Sequence, residues 1–130
     1  MSTSDVLTTL HELRDFAQEA AEIATGRTRA DLDQDRGFRR HAERIVELIG
    51  EAANRLPEDV QAQYPAVPWR QIIGMRNWLA HGYDGVDYEI VWDVLATHAP
   101  ALVKEVEAIL KARAPKPAPL PEREHGESDP

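Results

Sequence analysis

The chain has 130 residues, 42% hydrophobic and 29% charged, with seven glycines and no cysteine. That length supports one domain with a core, and the absence of cysteine excludes disulfide staples, thiolate catalysis and thiolate zinc sites while fitting a reducing cytoplasm. A net charge of -8 excludes a nonspecific nucleic-acid coat, so any RNA contact must be local.

The first residues, "MSTSDVLTTL", have neither a basic n-region nor an apolar h-region, and no run is long enough to span a bilayer, so a cytoplasmic location is expected. From a cap at Ser4 or Asp5, the residues Leu10, Leu13, Ala17, Ala20 and Ala24 recur at spacings of three and four until Gly26. This predicts a first helix that stops at a left-handed glycine. A polar link follows, and Arg27, Arg29, Arg36, Arg39, Arg40 and Arg44 outnumber Asp31, Asp33, Asp35 and Glu43 there by a net +2. So small an excess suits a solvated charged surface as well as a local phosphate contact.

Ile45, Leu48, Ile49, Ala52 and Leu56 mark one face of a second helix ending before Pro57. Its Glu51 and Arg55, four residues apart, read as a surface ion pair. "PEDVQAQYPAVP" then reads as a loop or short turn. Pro68 suits the first turn of a third helix, "PWRQIIGMRNWLAHG", with Gly82 in the C-cap position. Trp69, Ile72, Ile73, Met75, Trp78, Leu79 and Ala80 cover most of its circumference, and Arg70, Gly74, Asn77 and His81 form one polar seam. A helix so apolar must be covered on several sides, either at the centre of the bundle or by a second subunit. Gly74, mid-helix, costs about 1 kcal/mol relative to alanine and calls for tight packing, another backbone or a ligand close by.

Asp87 caps a fourth helix whose buried face carries Ile90, Val91, Val94, Leu95, Leu102, Val106 and Ile109, with Pro100 kinking or splitting it. The expected fold is all-α, a largely antiparallel four- to five-helix bundle spanning residues 1–113. Five of the nine prolines fall in "APKPAPLPEREHGESDP", residues 114–130, which is expected to be a disordered tail.

"RNWLAHGY", residues 76–83, gathers a permanent cation, an amide, a titratable imidazole and a phenol within possible reach of one ligand. Metal-free RNA cleavage needs a base for the 2′-hydroxyl, an acid for the leaving 5′-oxygen and a cation for the charge that builds on phosphorus. An imidazole, with an ordinary pKa of about 6.5, serves either proton transfer, and a guanidinium fork matches phosphate oxygens. The same residues also suit a plain helix end, with Arg76 paired to an acid and His81 favoured by the helix dipole. One histidine and one arginine per chain leave an acid–base pair incomplete, and a two-fold dimer would supply two of each. His11, His41, His98 and His125 show no metal-ligand spacing, and no glycine-rich phosphate loop occurs; neither metal nor cofactor is expected.

"IGEAANRL" at 49–56, "YPAVPWRQIIGMRNWLAHGYDGVDYEIVW" at 64–92 and the first-helix stretch ending near "ATG" together resemble HEPN-domain proteins of the HepT type, over about residues 5–110. The resemblance implies a homodimeric all-helical ribonuclease, the toxin of a toxin–antitoxin pair. Its R-x-x-x-x-H-x-Y motif falls on Arg76, His81 and Tyr83, the first two catalytic in a cleft between subunits. Asn77 occupies the commonly polar position after the arginine, and Arg70, on the same seam, is a second candidate for positioning phosphate. The implied partner is an MNT-type nucleotidyltransferase antitoxin that transfers AMP to the tyrosine, here Tyr83, where added bulk and negative charge would repel RNA. Asp84 departs from the apolar or aromatic residue expected after that tyrosine. A different class of reading is a noncatalytic dimer that uses the cleft to hold a nucleotide or the partner enzyme; a purely structural dimerisation module is the third.

Overall fold

Ser2 begins the first helix with a reciprocal cap: its side chain accepts from the Asp5 backbone N–H, and the Asp5 carboxylate accepts from the Ser2 N–H. The cap therefore lies two residues before the earlier of the two expected positions, because Asp5 acts as the third residue of a capping box. The computed structural model describes residues 1–81 and 86–113, the side chains of 76–81 excepted. The expected C-cap at Gly82, Tyr83 and the tail at 114–130 lie outside the described residues.

Helix α1 spans Thr3–Ala24 and gives way to Gly26, whose φ of 76° is the left-handed geometry that glycine accepts without strain. The polar link holds more structure than its composition indicated. A short α2, Asp31–Gln34, buries Leu32, and α3, Arg36–Arg55, starts well before the first apolar repeat because Asp35 caps it through the Phe38 N–H. A short α4, Glu58–Ala62, follows where a loop or turn was expected, and α5 spans Trp69–His81. The chain then runs through α6, Tyr88–Asp93, a π-helical turn, Val94–His98, and α7, Ala99–Arg113, as one uninterrupted helical path.

Among the described residues all regular structure is helical. The core is built by Leu10, Leu13 and Ala17 of α1, Ile45, Val46 and Ile49 of α3, and Leu95, Leu102 and Val106 of the last rod, all nearly or wholly inaccessible. Ion pairs give the direction of packing: Arg55 meets Glu12 and His41 meets Glu19, so α1 and α3 run antiparallel. Arg55 thus pairs across helices and not with Glu51 as its spacing suggested. Arg14 bridges α1 to Glu107 of α7.

Pro100 produces neither a split nor a break. It lacks the N–H that Ala96 would otherwise receive, and the preceding turn widens so that the Ala99 N–H reaches the Val94 carbonyl. The rod continues with one turn of π geometry, and His98 sits exposed on it.

Candidate functional site

Helix α5 carries the motif backbone and begins with a firm anchor. Buried Trp69 donates its indole N–H to the Tyr64 carbonyl at 3.0 Å, and the Pro68 carbonyl takes the first helical bonds, from Gln71 and Ile72. Pro68 therefore precedes the helix as its cap. Among the described residues α5 packs on α3, while Ile72, Ile73 and Met75 are each only half-buried. Over the turns whose side chains are described, α5 is therefore not enclosed on all sides by this chain.

The seam residues separate in space. Arg76, Asn77 and His81 lie on the last two turns of α5 as helix positions, and nothing further of their side chains is described. Arg70 is exposed and lines an open groove with Glu58, Gln61 and Trp69 at the start of α5, eleven residues from His81 and so roughly 16 Å away along the axis. At Gly74 an added Cβ would meet none of the described atoms within 4 Å beyond its own helix backbone and chain neighbours. Packing against the described residues therefore does not explain that glycine.

Beside Gly74 runs a groove of about 290 Å³ lined by Gln71, Gly74 and Met75 of α5, Ile90 and Asp93 of α6, and His98 of the π turn. The sequence singled out neither Asp93 nor His98 for this place. The usable signal was Pro100, two residues after His98, since a proline within a helical pattern marks where the register changes. Under the same helix lies a void of about 30 Å³ between Ile49, Met75, Val94 and Leu102, which His98 also borders.

At the end of the bundle where α5 finishes, the entry to α6 is fixed by polar contacts. Asp87 caps α6 through the Glu89 N–H at 2.9 Å, Tyr88 donates to Glu43 of α3 at 2.7 Å, and Glu89 accepts from Arg29 at 2.8 Å. Burial and the nearby Glu43 carboxylate push the Tyr88 phenol above its usual range, so it stays a neutral donor. These bonds pin the start of α6, just after the motif, to α3 and to the α1–α2 link.

Most of the arginine cluster serves this scaffold. Arg27 pairs with Asp35 and lies over the Phe38 ring, Arg29 bridges Asp33 and Glu89, Arg39 donates to the Leu32 and Asp33 carbonyls, and Arg44 meets Glu47. Only Arg36 and Arg40 lack a described partner.

An all-helical bundle with a basic–imidazole motif at the end of one partly uncovered helix defines the class of domain. Comparison with known proteins gives the family: the HepT-like ribonuclease model matches residues 11–109, and the chain belongs to that family. A provisionally named RNase of Methanocaldococcus jannaschii is 33% identical over 111 residues, covering 85% of this chain and 92% of its own. Another provisionally named RNase, from Caldanaerobacter subterraneus subsp. tengcongensis, is 40% identical over 81 residues, 62% of this chain and 72% of its own. A provisionally named ribonuclease HepT of Thermococcus cleftensis is 37% identical over 68 residues, 52% of this chain and 62% of its own. No solved structure gives a significant match. Among the described residues no helix is long and apolar enough to cross a membrane.

Proposed function

We propose that the chain is a HepT-like toxin, a metal-independent RNA endonuclease that acts as a homodimer through Arg76 and His81. Family membership across residues 11–109, which include the whole motif, is the observation that carries this reading. RNA brings its own nucleophile, the 2′-hydroxyl. His81 takes or returns the proton, and Arg76 stabilises the negative charge that builds on the phosphorane oxygens. Two-fold pairing supplies a second imidazole for the leaving 5′-oxygen, so that one acts as base while the other acts as acid. The half-buried Ile72 and Ile73 on the motif helix support such pairing, because a second copy covers what this chain leaves open. Asn77 positions the substrate phosphate. Arg70, at the far end of the helix, contacts the strand further out.

In the same reading an MNT-type nucleotidyltransferase restrains the toxin by transferring AMP to Tyr83. The added phosphodiester places negative charge two residues from His81, where an anionic substrate must sit. Expression alone should arrest growth, and His81→Ala should abolish that arrest. Co-expression with the nucleotidyltransferase should raise the intact mass by one or more AMP units in the wild type and not in Tyr83→Phe. The noncatalytic alternative, a dimer that only holds a nucleotide or the partner, predicts no toxicity in any variant.

A further inference from the structure

The groove between α5 and the π turn has a composition that the cleavage chemistry does not use. Met75 and Ile90 provide apolar surfaces, and Ile90 is one of only two exposed large hydrophobic side chains among the described residues. Gln71, Asp93 and His98 bring polar atoms to the same space, and no described side chain bonds to any of them. Gly74 leaves the wall between them bare, at a helix position where a larger residue would be more stable. Its volume, about 290 Å³, exceeds a few waters and falls near the lower limit of small-ligand sites. Widened π turns recur at functional sites, and here the turn holds His98 at the rim.

Charge and distance narrow the occupant. Asp93 accepts hydrogen bonds and repels phosphate, so the groove does not suit the RNA backbone. Gly74 precedes His81 by seven residues, roughly 10 Å along the helix, so a base held beside Gly74 lies on the order of one or two nucleotides from a phosphate at His81. The Asp93 carboxylate calls for a donor once water is displaced, which an amine-bearing base supplies and an apolar face of a second copy would not.

We propose that this groove is a base-binding subsite for one unstacked RNA base with an exocyclic amine, next to the scissile phosphate. The base lies between Met75 and Ile90, its amine donates to Asp93, and the Gln71 amide donates to the neighbouring ring nitrogen. His98 closes the rim by stacking or by donating to the base or sugar. Single-stranded RNA is read in this way, by splayed bases whose edges are hydrogen-bonded. The assignment rests on the ribonuclease reading for its substrate, and binding can test it apart from cleavage.

The experiment measures fluorescence anisotropy of labelled octa-adenylate, octa-cytidylate and octa-uridylate with the full chain carrying His81→Ala, so that nothing is cut. Gly74→Leu fills the groove from a position where an added Cβ meets no described atom beyond its own helix turn, and Asp93→Ala removes the acceptor. Adenylate and cytidylate are expected to bind about 10-fold tighter than uridylate, a preference that each added substitution erases while circular dichroism and Tm show the fold intact. Equal binding of all three probes, or a preference that survives both substitutions, overturns the subsite. So does Gly74→Leu altering dimer dissociation in sedimentation while leaving base preference untouched, which would assign the groove to a second copy. If the chain with His81 restored cuts no RNA yet the preference and its loss are observed, the subsite stands and the catalytic reading falls. If that chain cuts RNA and no base preference is observed, the subsite falls and the catalytic reading stands.

Discussion

Two carboxyl groups in this protein respond to pH in opposite directions. The Asp35 carboxylate accepts from the Phe38 N–H and from Arg27, which holds it below its ordinary range; its contribution to stability is present above the unfolded-chain value and lost as pH falls through the folded one. Glu105 is the reverse case. One of its oxygens is buried with no hydrogen-bond partner among the described residues, and burial pushes the carboxyl above its ordinary range. Its folded form holds the proton more tightly than the unfolded chain does, so stability declines as pH rises through the folded value. Glu105→Gln should therefore raise Tm at neutral pH, with the gain shrinking toward pH ~4, where the glutamate is itself protonated. Thermal unfolding followed at both pH values checks this; a gain independent of pH would mean that charge is not the cause. By contrast Asp35→Ala should lower Tm at neutral pH and cost less under acid, because it removes a cap that works best ionised.

At the scale of elements, α5 combines a strong anchor with an unfinished surface. Trp69 is buried and bonded, yet Ile72, Ile73 and Met75 are half-open and no described side chain packs on Gly74. Gly74→Ala should stabilise the isolated fold by about 1 kcal/mol, read by denaturant unfolding, because an alanine there gains helix propensity and meets no described neighbour. Destabilisation would mean that something packs closely on this turn. The long apolar repeats of α1, α3 and α7 were legible because their periodicity runs over many turns and dominates local noise. The early start of α3 was not, since "DQDRGFRR" shows mainly charge; the cap from Asp35 and the burial of Phe38 emerge only in the folded chain. The π turn escaped for a different reason. Pro100 announces a disturbance, but whether a helix kinks, breaks or widens depends on the packing on either side of it.

The whole molecule is a bundle in which α1 and α3 form the antiparallel centre, the α6–α7 rod closes one side and α5 is left partly uncovered. That arrangement leaves Ile72, Ile73 and Met75 of α5 only half-covered by this chain. The family was legible in the run around Arg76, Asn77 and His81, whereas their spacing alone suits a plain helix end equally well. The neighbouring groove was not, because Gln71, Asp93 and His98 come from separate turns and only the fold brings them together. Core substitutions should act on the whole: Leu13→Ala, at a wholly buried position, should cost about 2–5 kcal/mol by denaturant unfolding. An exposed Arg36→Ala should stay within about 0.5 kcal/mol.

The catalytic claim is tested most directly by incubating the purified chain with RNA in the presence of a chelator, beside Arg76→Ala and His81→Ala. The wild type should cut, and each variant should be slower by about 100-fold or more with its circular dichroism unchanged. Cleavage that needs added metal, or that survives His81→Ala at the wild-type rate, would contradict it.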